Sequence, residues 1–197
     1  MHTLIFATNN QNKVNEIQSL VGADFNIIPL KAAGINIDIP EPHDTLQENA
    51  AEKANTIFSI THQNCFSEDT GLEIDALDGA PGVKSARYAG EGRDFQANID
   101  KVLSLLGTHE NRRAQFRTVI CLIWGTDNEE KQTYYFEGVC KGSIATEMNG
   151  EKGFGYDPIF IPDGATKSFA QMSMDEKNEF SHRQKAVTKL FDFLRTK

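Results

Sequence analysis

The sequence contains few cysteines and no cysteine pattern that would hold a structural metal. The three present, Cys65, Cys121 and Cys140, are odd in number, widely spaced and without a CxxC pair. This spacing argues against both a disulfide framework and a structural zinc site. We therefore expect reduced thiols in a cytoplasmic protein.

Long apolar runs are also missing. The longest, residues 119–124, is far shorter than the roughly 20 residues that cross a membrane as a helix. The first eight residues carry neither a basic leader nor the long apolar stretch of a signal peptide. We therefore expect no membrane partner and a cytoplasmic location.

Positive charge is scarce. The chain has 20 Lys and Arg against 28 Asp and Glu, a formal net charge of −8 at pH 7. Proteins that hold a nucleic-acid backbone present a basic stripe, and this sequence shows none. We predict no nucleic-acid partner, whereas a small anionic ligand is compatible with local lysines and a bound cation in a pocket.

The order of apolar patterns predicts an α/β protein with a long mixed sheet and helices packed against it. Strands are predicted at residues 3–8, 25–30, 113–124 and 132–143, and within 153–162. Helical spacing of apolar residues is found at 14–21, 50–60, 99–106 and 181–194. Asp44 or Thr45 is predicted to cap the second helix, with Gln47 or Glu48 completing a capping box.

The first candidate site lies where the first predicted strand gives way to a helix. Its residues are Thr8, Asn9, Asn10, Gln11, Asn12 and Lys13. Helix amino termini present unpaired N–H groups and a partial positive charge, which suit phosphate, and Lys13 adds a full charge. The alternative is an ordinary helix start, capped by Asn12 with Lys13 in solvent. The segment is not a Walker loop, because the required glycines are absent.

The second candidate is the carboxylate pair Glu68 and Asp69, with Thr70 and Gly71 behind it. Adjacent carboxylates at the end of a strand repel each other unless a cation or hydrogen-bond donors offset the charge. Magnesium prefers oxygen ligands, so one or two carboxylates with substrate phosphates suffice, and Glu41 could join the same ion. The alternative is a plain turn at residues 69–71, since Asp and Gly are common in turns.

The third candidate is Ser181, His182 and Arg183 at the start of the last predicted helix. Ser181 is a good N-cap, but two potentially positive residues in the first turn oppose the helix dipole. This placement costs roughly 0.3–1 kcal/mol per charge at an exposed site. The two side chains are therefore either fully solvated or used on an anion or acceptor.

The fourth candidate combines glycines with aromatic residues, in the order Gly153, Phe154, Gly155, Tyr156, Asp157 and Pro158. The glycines let a backbone approach a flat ligand, and an aromatic ring stacked on a base contributes roughly 1–3 kcal/mol. The alternative is a bulged strand whose aromatics belong to the core.

Taken together, these segments resemble the inosine triphosphate pyrophosphatases, also called dITP/XTP pyrophosphatases. The matching segments, in family order along nearly the whole chain, include residues 8–13, 48–50, 68–72, 79–82, 85–88, 153–158 and 181–183. The resemblance implies one elongated α/β domain over residues 1–197, with two lobes around a central cleft. It also implies a homodimer that hydrolyses ITP, dITP and XTP between the α and β phosphates.

The resemblance further implies a role for each matching residue. Asp69 would be the general base and a Mg²⁺ ligand, with Glu41 as the second metal carboxylate; for Glu68, metal binding, support of Asp69 and neither role stay open. Substrate would be bound by residues 8–13, Lys53, Thr70, Phe154, Gly155, Tyr156, Asp157, Lys177, His182 and Arg183.

Two alternatives to this function remain. One is a related pyrophosphatase for modified pyrimidine triphosphates, as in the septum-formation (Maf) family. That family favours Ser-x-Ser-x-x-Arg after the first strand, whereas this chain has Thr-Asn-Asn-Gln-Asn-Lys. The other is a purine nucleotide-binding protein without catalysis, which the carboxylates at 68 and 69 and the two lysines argue against.

Overall fold

The computed structural model describes residues 2–22, 24–125 and 130–197. The strands are β1 His2–Phe6, β2 Phe25–Pro29, β3 Cys65–Ile74, β4 Pro81–Gly82, β5 Arg113–Trp124, β6 Gln132–Ile144 and β7 Phe160–Pro162. The helices are α1 Gln11–Leu20, α2 Leu46–Thr61, α3 Phe95–Leu106, α4 Met174–Phe180 and α5 His182–Leu194. The predicted α/β class is confirmed. No helix within the described residues is long and apolar enough to span a bilayer.

The strands form one mixed sheet in the order β2-β1-β3-β5-β6-β7, with β4 beside β3. β1 runs parallel to both β2 and β3, and the β1–β2 connection passes through α1. β4 pairs antiparallel with β3, and β7 pairs antiparallel with β6. Two parallel neighbouring strands need a crossover connection, and α1 provides it between β1 and β2. The strand–turn–helix pattern at the start of the chain therefore accounts for this parallel pair.

The chain divides into two compact units. The first comprises Met1–Asp69, Thr118–Gly138 and Arg183–Lys197, and the second comprises Thr70–Arg117 and Val139–His182. In the first unit both faces of β1 are buried. Leu4 and Phe6 pack in one cluster with residues of α1 and α5, and Ile5 and Ala7 in another with residues of α2. Alternation along a strand gives this split, which explains why residues 4–7 are all apolar.

The core of the second unit lies beneath α3. Ile99, Val102 and Leu106 of α3 pack in one buried cluster with Phe116 of β5 and Phe160 of β7. These α3 positions recur at helical spacing, and Gly107 follows the helix at its C-cap. The predicted helix at 99–106 is therefore confirmed, with one more turn at its start.

The caps agree only in part with the predictions. Thr45 caps α2, and its Oγ1 accepts from the Glu48 backbone N–H at 3.1 Å. Asn10 caps α1, not Asn12, because its side chain accepts from the N–H groups of Asn12 and Lys13. The alternative in which Asn12 is the cap is wrong.

Two local predictions are wrong. Residues 69–71 form no turn, because β3 continues without a break to Ile74. Residues 153–162 form a strand only over Phe160–Pro162, so the bulged-strand alternative fails. Gly153 and Gly155 have φ values of +75° and +61°, in the left-handed region that favours glycine, and they lie in a bend and a turn before the strand.

Position 71 of β3 is occupied by glycine because the β4 backbone approaches it closely. A Cβ at this position would lie 2.7 Å from the Gly82 carbonyl oxygen, inside contact distance. We expect Gly71→Ala to lower the free energy of unfolding by about 1–3 kcal/mol, as overpacking does. Denaturant unfolding measures this. Gly22→Ala is the control, because nothing lies within 4 Å of its Cβ; similar losses in both variants would contradict the argument.

Candidate functional site

The centre of the candidate site is β3, where strand alternation separates the two adjacent carboxylates. Asp69 shares a face with Ser67, whose hydroxyl donates to the Ala50 carbonyl of α2. Glu68 lies on the opposite face, on the same side as Phe66, which packs with residues of α1 and α5. The two carboxylates therefore pair with different cations, and their repulsion is smaller than it would be on one face at a strand end.

Asp69 meets Lys53 of α2, which also contacts Glu41. Lys53 Nζ donates to Asp69 Oδ1 at 2.8 Å and to Glu41 Oε1 at 2.6 Å. The three side chains are between 8% and 21% exposed. The predicted catalytic carboxylate, the predicted second metal carboxylate and a predicted phosphate-binding lysine thus form one cluster, which we call the Lys53 cluster.

Burial and charge set the protonation of this cluster. Burial outweighs the attraction of Lys53 and raises the pKa of Asp69 above its ordinary value. Burial acts in the same direction on Glu41, but Lys53 overrides it and lowers the pKa of Glu41 to about 2. Burial favours neutral Lys53, yet Asp69 and Glu41 raise its pKa. Lys53 is therefore charged, and Asp69 is the more basic of the two carboxylates.

The loop that carries Glu41 is fixed by Asn49 of α2. The buried Asn49 side chain accepts from the backbone N–H of His43 and donates to the His43 carbonyl, both at 3.0 Å. Two opposed bonds to one residue hold the backbone in place independently of Lys53. Asn49 belongs to the segment 48–50 that carried the resemblance, and this contact gives it a positioning role.

Glu68 meets Arg183 of α5 in a fully buried ion pair. Arg183 Nε and Nη2 donate to Glu68 Oε2 and Oε1, each at 2.8 Å, and Nη1 donates to Glu16. Lys13 Nζ lies 3.1 Å from Glu68 Oε1. Burial opposes ionisation of Glu68, but Arg183 and Lys13 hold its pKa well below the usual range. This group, the Arg183 cluster, is the second charged centre of the first unit.

Sequence reasoning missed Glu16. It lies on α1 three residues after Lys13, a spacing that places both side chains on one helix face. That spacing was the available signal, although its partner Arg183 is 167 positions away in the chain.

The polar residues at the start of α1 are bonded locally. Asn9 donates to the Ile37 carbonyl at 2.7 Å, and Gln11 donates to Asn15 at 2.8 Å. Thr8 Oγ1 accepts from the Asn10 N–H at 3.2 Å. Asn10 accepts from two N–H groups of the helix start, so it occupies donors that the phosphate prediction assigned to a ligand. Of residues 8–13, Lys13 alone enters the Arg183 cluster in the described contacts.

In the second unit, Asp157 organises the segment after Gly153. Its Oδ2 accepts from Lys177 Nζ at 2.7 Å and from the Phe154 N–H at 2.9 Å. Lys177 lies over the rings of Phe154 and Phe169, at 5.4 and 5.3 Å from their centroids. A Cβ at Gly153 would collide with the Asp157 carboxylate, so this close turn requires glycine.

The two aromatics of this segment differ in exposure. Tyr156 is buried, and its hydroxyl donates to the Ser85 carbonyl at 2.8 Å. Phe154 and Gly155 are half-buried. The more accessible ring is therefore that of Phe154, and Tyr156 anchors the segment in the core.

Two further predicted residues, His182 and Thr70, belong to the second unit. His182 is buried and stacks on Phe116, with ring centroids 4.7 Å apart. Thr70 follows Asp69 on β3 and is half-buried.

The residues fit a divalent cation in their chemistry. Within the described part of the chain, no group of three or more His, Cys, Asp and Glu side chains is placed to hold a metal. The Lys53 cluster instead brings two carboxylates around one positive charge. Two hard oxygen ligands suit Mg²⁺, which keeps several waters and takes further oxygens from phosphates.

Comparison with known proteins adds a family to this geometry. A family model described as the Ham1 family matches residues 4–193. The chain belongs to the Ham1 family. The resemblance stated from its motifs is confirmed, since curated relatives that match this Ham1 protein are named dITP/XTP pyrophosphatase.

Two of those relatives come from Porphyromonas gingivalis and Flavobacterium psychrophilum. They are 49% identical over 195 residues and 47% identical over 192 residues, each covering 98% of both chains. A solved HAM1 protein from Coxiella burnetii has a TM-score of 0.88 at 36% identity and covers 100% of both chains. The Staphylococcus aureus Ham1 structure has a TM-score of 0.86 at 39% identity over 98% of both chains. Sequence and fold therefore agree over nearly the whole chain.

Proposed function

We propose that this Ham1 protein hydrolyses the non-standard purine nucleoside triphosphates ITP, dITP and XTP to monophosphate and pyrophosphate. The Lys53 cluster is the observation that carries the proposal. It joins a buried carboxylate of raised pKa, a second carboxylate and a charged lysine within 2.8 Å contacts. The names of the relatives support the substrate class.

In this proposal Asp69 takes the proton of the attacking water. A carboxylate of ordinary pKa is a weak base at neutral pH, so the raised pKa of Asp69 suits this role. Glu41 and Asp69 would hold Mg²⁺, which when bound neutralises charge on the phosphate oxygens. Lys13 and Lys53 stabilise the negative charge of the departing pyrophosphate.

Specificity is proposed to come from donors that face the 6-oxo group of the base. His182 and Arg183 are the predicted donors, Lys177 is predicted to face the ligand, and Phe154 to Asp157 are predicted to form the base and ribose platform. Arg183 also donates to Glu68 and Glu16, which fix the orientation of its guanidinium group. Adenine would place a donor against donors, which costs about 1–3 kcal/mol for each unpaired group, or roughly one to two decades in rate.

We infer Mg²⁺ as the metal, a homodimer as the resemblance implies, and the cytoplasm as the compartment. Three free cysteines, all buried, support a reducing compartment. Size-exclusion chromatography with light scattering tests the homodimer.

The decisive experiment compares purified protein on ITP, XTP, dITP, GTP and ATP with Mg²⁺, and identifies the products. We expect pyrophosphate as the product and rates on ITP and XTP at least about tenfold above the rate on ATP. Equal rates on all substrates, or release of single phosphate, would contradict the proposal. Tight ITP binding without turnover would instead favour the non-catalytic alternative.

A further inference from the structure

Lys53 occupies the position between the two carboxylates that the proposed function assigns to the metal. Its Nζ contacts one oxygen of each, at 2.6 Å to Glu41 and 2.8 Å to Asp69. Lys53 is itself buried on α2, on the side of the helix that carries Asn49, Ala50 and Ala54. The ammonium thus contacts one oxygen of each carboxylate that the proposed metal would need.

We propose that Lys53 is an internal counter-ion, which holds Glu41 and Asp69 together in the metal-free enzyme and moves to the triphosphate when metal binds. The inference rests on the proposed function, because that function names the two carboxylates as metal ligands. In addition, metal binding and nucleotide binding are coupled, because one lysine exchanges its two carboxylate partners for the triphosphate.

The coupling follows from the charges of the Lys53 cluster. Two ionised carboxylates around one ammonium carry a net charge of −1, so Lys53 offsets only one of the two negative charges. A divalent cation held by the same two carboxylates would repel the ammonium, which would then be a buried charge without a counter-ion. Metal alone therefore binds weakly. A triphosphate supplies the missing anion, and the coupling acts equally in both directions.

The surrounding structure lets the carboxylates stay in place when the ammonium leaves. Asn49 fixes the Glu41 loop through His43, without using Lys53. Asp69 lies in the middle of β3, whose backbone is held by the sheet. Loss of the lysine therefore removes a competing cation more than it removes the ligands.

The first test measures Mn²⁺ binding, without nucleotide, by calorimetry or electron paramagnetic resonance. We expect Lys53→Gln to bind Mn²⁺ about tenfold more tightly than wild type, within the range of ordinary coupling. Lys31→Gln is the control, because it changes net charge equally at an exposed position. Lys53→Arg keeps a positive charge and should bind no more tightly than wild type. Weaker or unchanged Mn²⁺ binding in Lys53→Gln would overturn the proposal.

The second test measures pyrophosphate binding at saturating Mn²⁺. Lys53→Gln should bind it about tenfold more weakly than wild type, because the displaced ammonium is gone. Opposite changes for metal and pyrophosphate support the exchange, whereas a purely structural lysine would weaken both. Circular dichroism checks the fold; if Lys53→Gln is unfolded, Lys53→Met is measured in its place and must give the same signs.

The outcomes separate this proposal from the function on which it rests. If wild type converts ITP to pyrophosphate but Lys53→Gln binds Mn²⁺ no better, the partner exchange is wrong and the activity stands. If Asp69→Asn and Glu41→Gln bind Mn²⁺ as wild type does, the assignment of the metal ligands is wrong, and the exchange is wrong with it.

Discussion

Asp69→Asn is expected to lower kcat on ITP by roughly 10²–10⁴ or more, the contribution of a general base. Asparagine has nearly the same shape but cannot accept a proton from water. It also removes one of the two carboxylates of the Lys53 cluster. Single-turnover and steady-state assays with ITP and Mg²⁺ measure the loss.

The same substitution should leave stability largely unchanged, because burial disfavours ionised Asp69 and Lys53 keeps its contact with Glu41. Burial raises the pKa of Asp69, so its ionised form is disfavoured in the folded state. A group with a raised folded pKa favours folding at low pH and loses that contribution as pH rises through the folded value. Ionised Asp69 therefore costs stability at high pH, and a neutral asparagine does not. Loss of activity without loss of melting temperature is a trade-off common at catalytic positions.

Glu73→Gln is the matched control for Asp69→Asn. Glu73 lies on the same strand and accepts from Arg117 and Gln115, outside the two charged clusters. Its activity should stay within about twofold of wild type, as for substitutions away from a functional group. Substantial turnover by Asp69→Asn, or an equal loss in both variants, would remove Asp69 from its proposed role.

Local sequence signals predicted most of the elements. Thr45 with Glu48 marked the start of α2, and Gly107 marked the end of α3. The missed helix α4 had such a signal too. Ser173 and Glu176 form a capping box at its start, but only seven residues follow, too few for a clear apolar pattern.

Long-range contacts decided what the sequence could not predict. Residues 69–71 have turn composition, yet they form a strand because β4 pairs beyond them and packs closely on Gly71. Asp69 pairs with a lysine 16 positions away in the chain, and Glu68 pairs with an arginine 115 positions away. Motif spacing selected most of these residues as site candidates. Only the fold divides them into the Lys53 and Arg183 clusters.

Arg183→Met is expected to lower the free energy of unfolding by about 3–5 kcal/mol, the cost of breaking a buried ion pair from one side. Methionine fills a similar volume, but Glu68 and Glu16 lose the guanidinium that pairs both of them. For a chain of this size the melting temperature should fall by roughly 6–20 °C. Thermal unfolding with calorimetric or circular dichroism detection measures the change.

Two further variants decide whether unpaired charge is the cause. Arg195→Met makes the same substitution at a side chain that is 52% exposed and paired with Asp192; it should cost less than about 0.5 kcal/mol. Adding Glu68→Gln and Glu16→Gln to Arg183→Met removes the stranded carboxylates and should restore most of the stability, since buried ionic groups are often replaceable together. If the triple variant is no more stable than Arg183→Met, lost packing rather than charge explains the effect.

Because Arg183 lowers the pKa of Glu68, its stabilisation is present above the ordinary carboxyl pKa and is lost as pH falls. The difference between wild type and Arg183→Met should therefore narrow in acid.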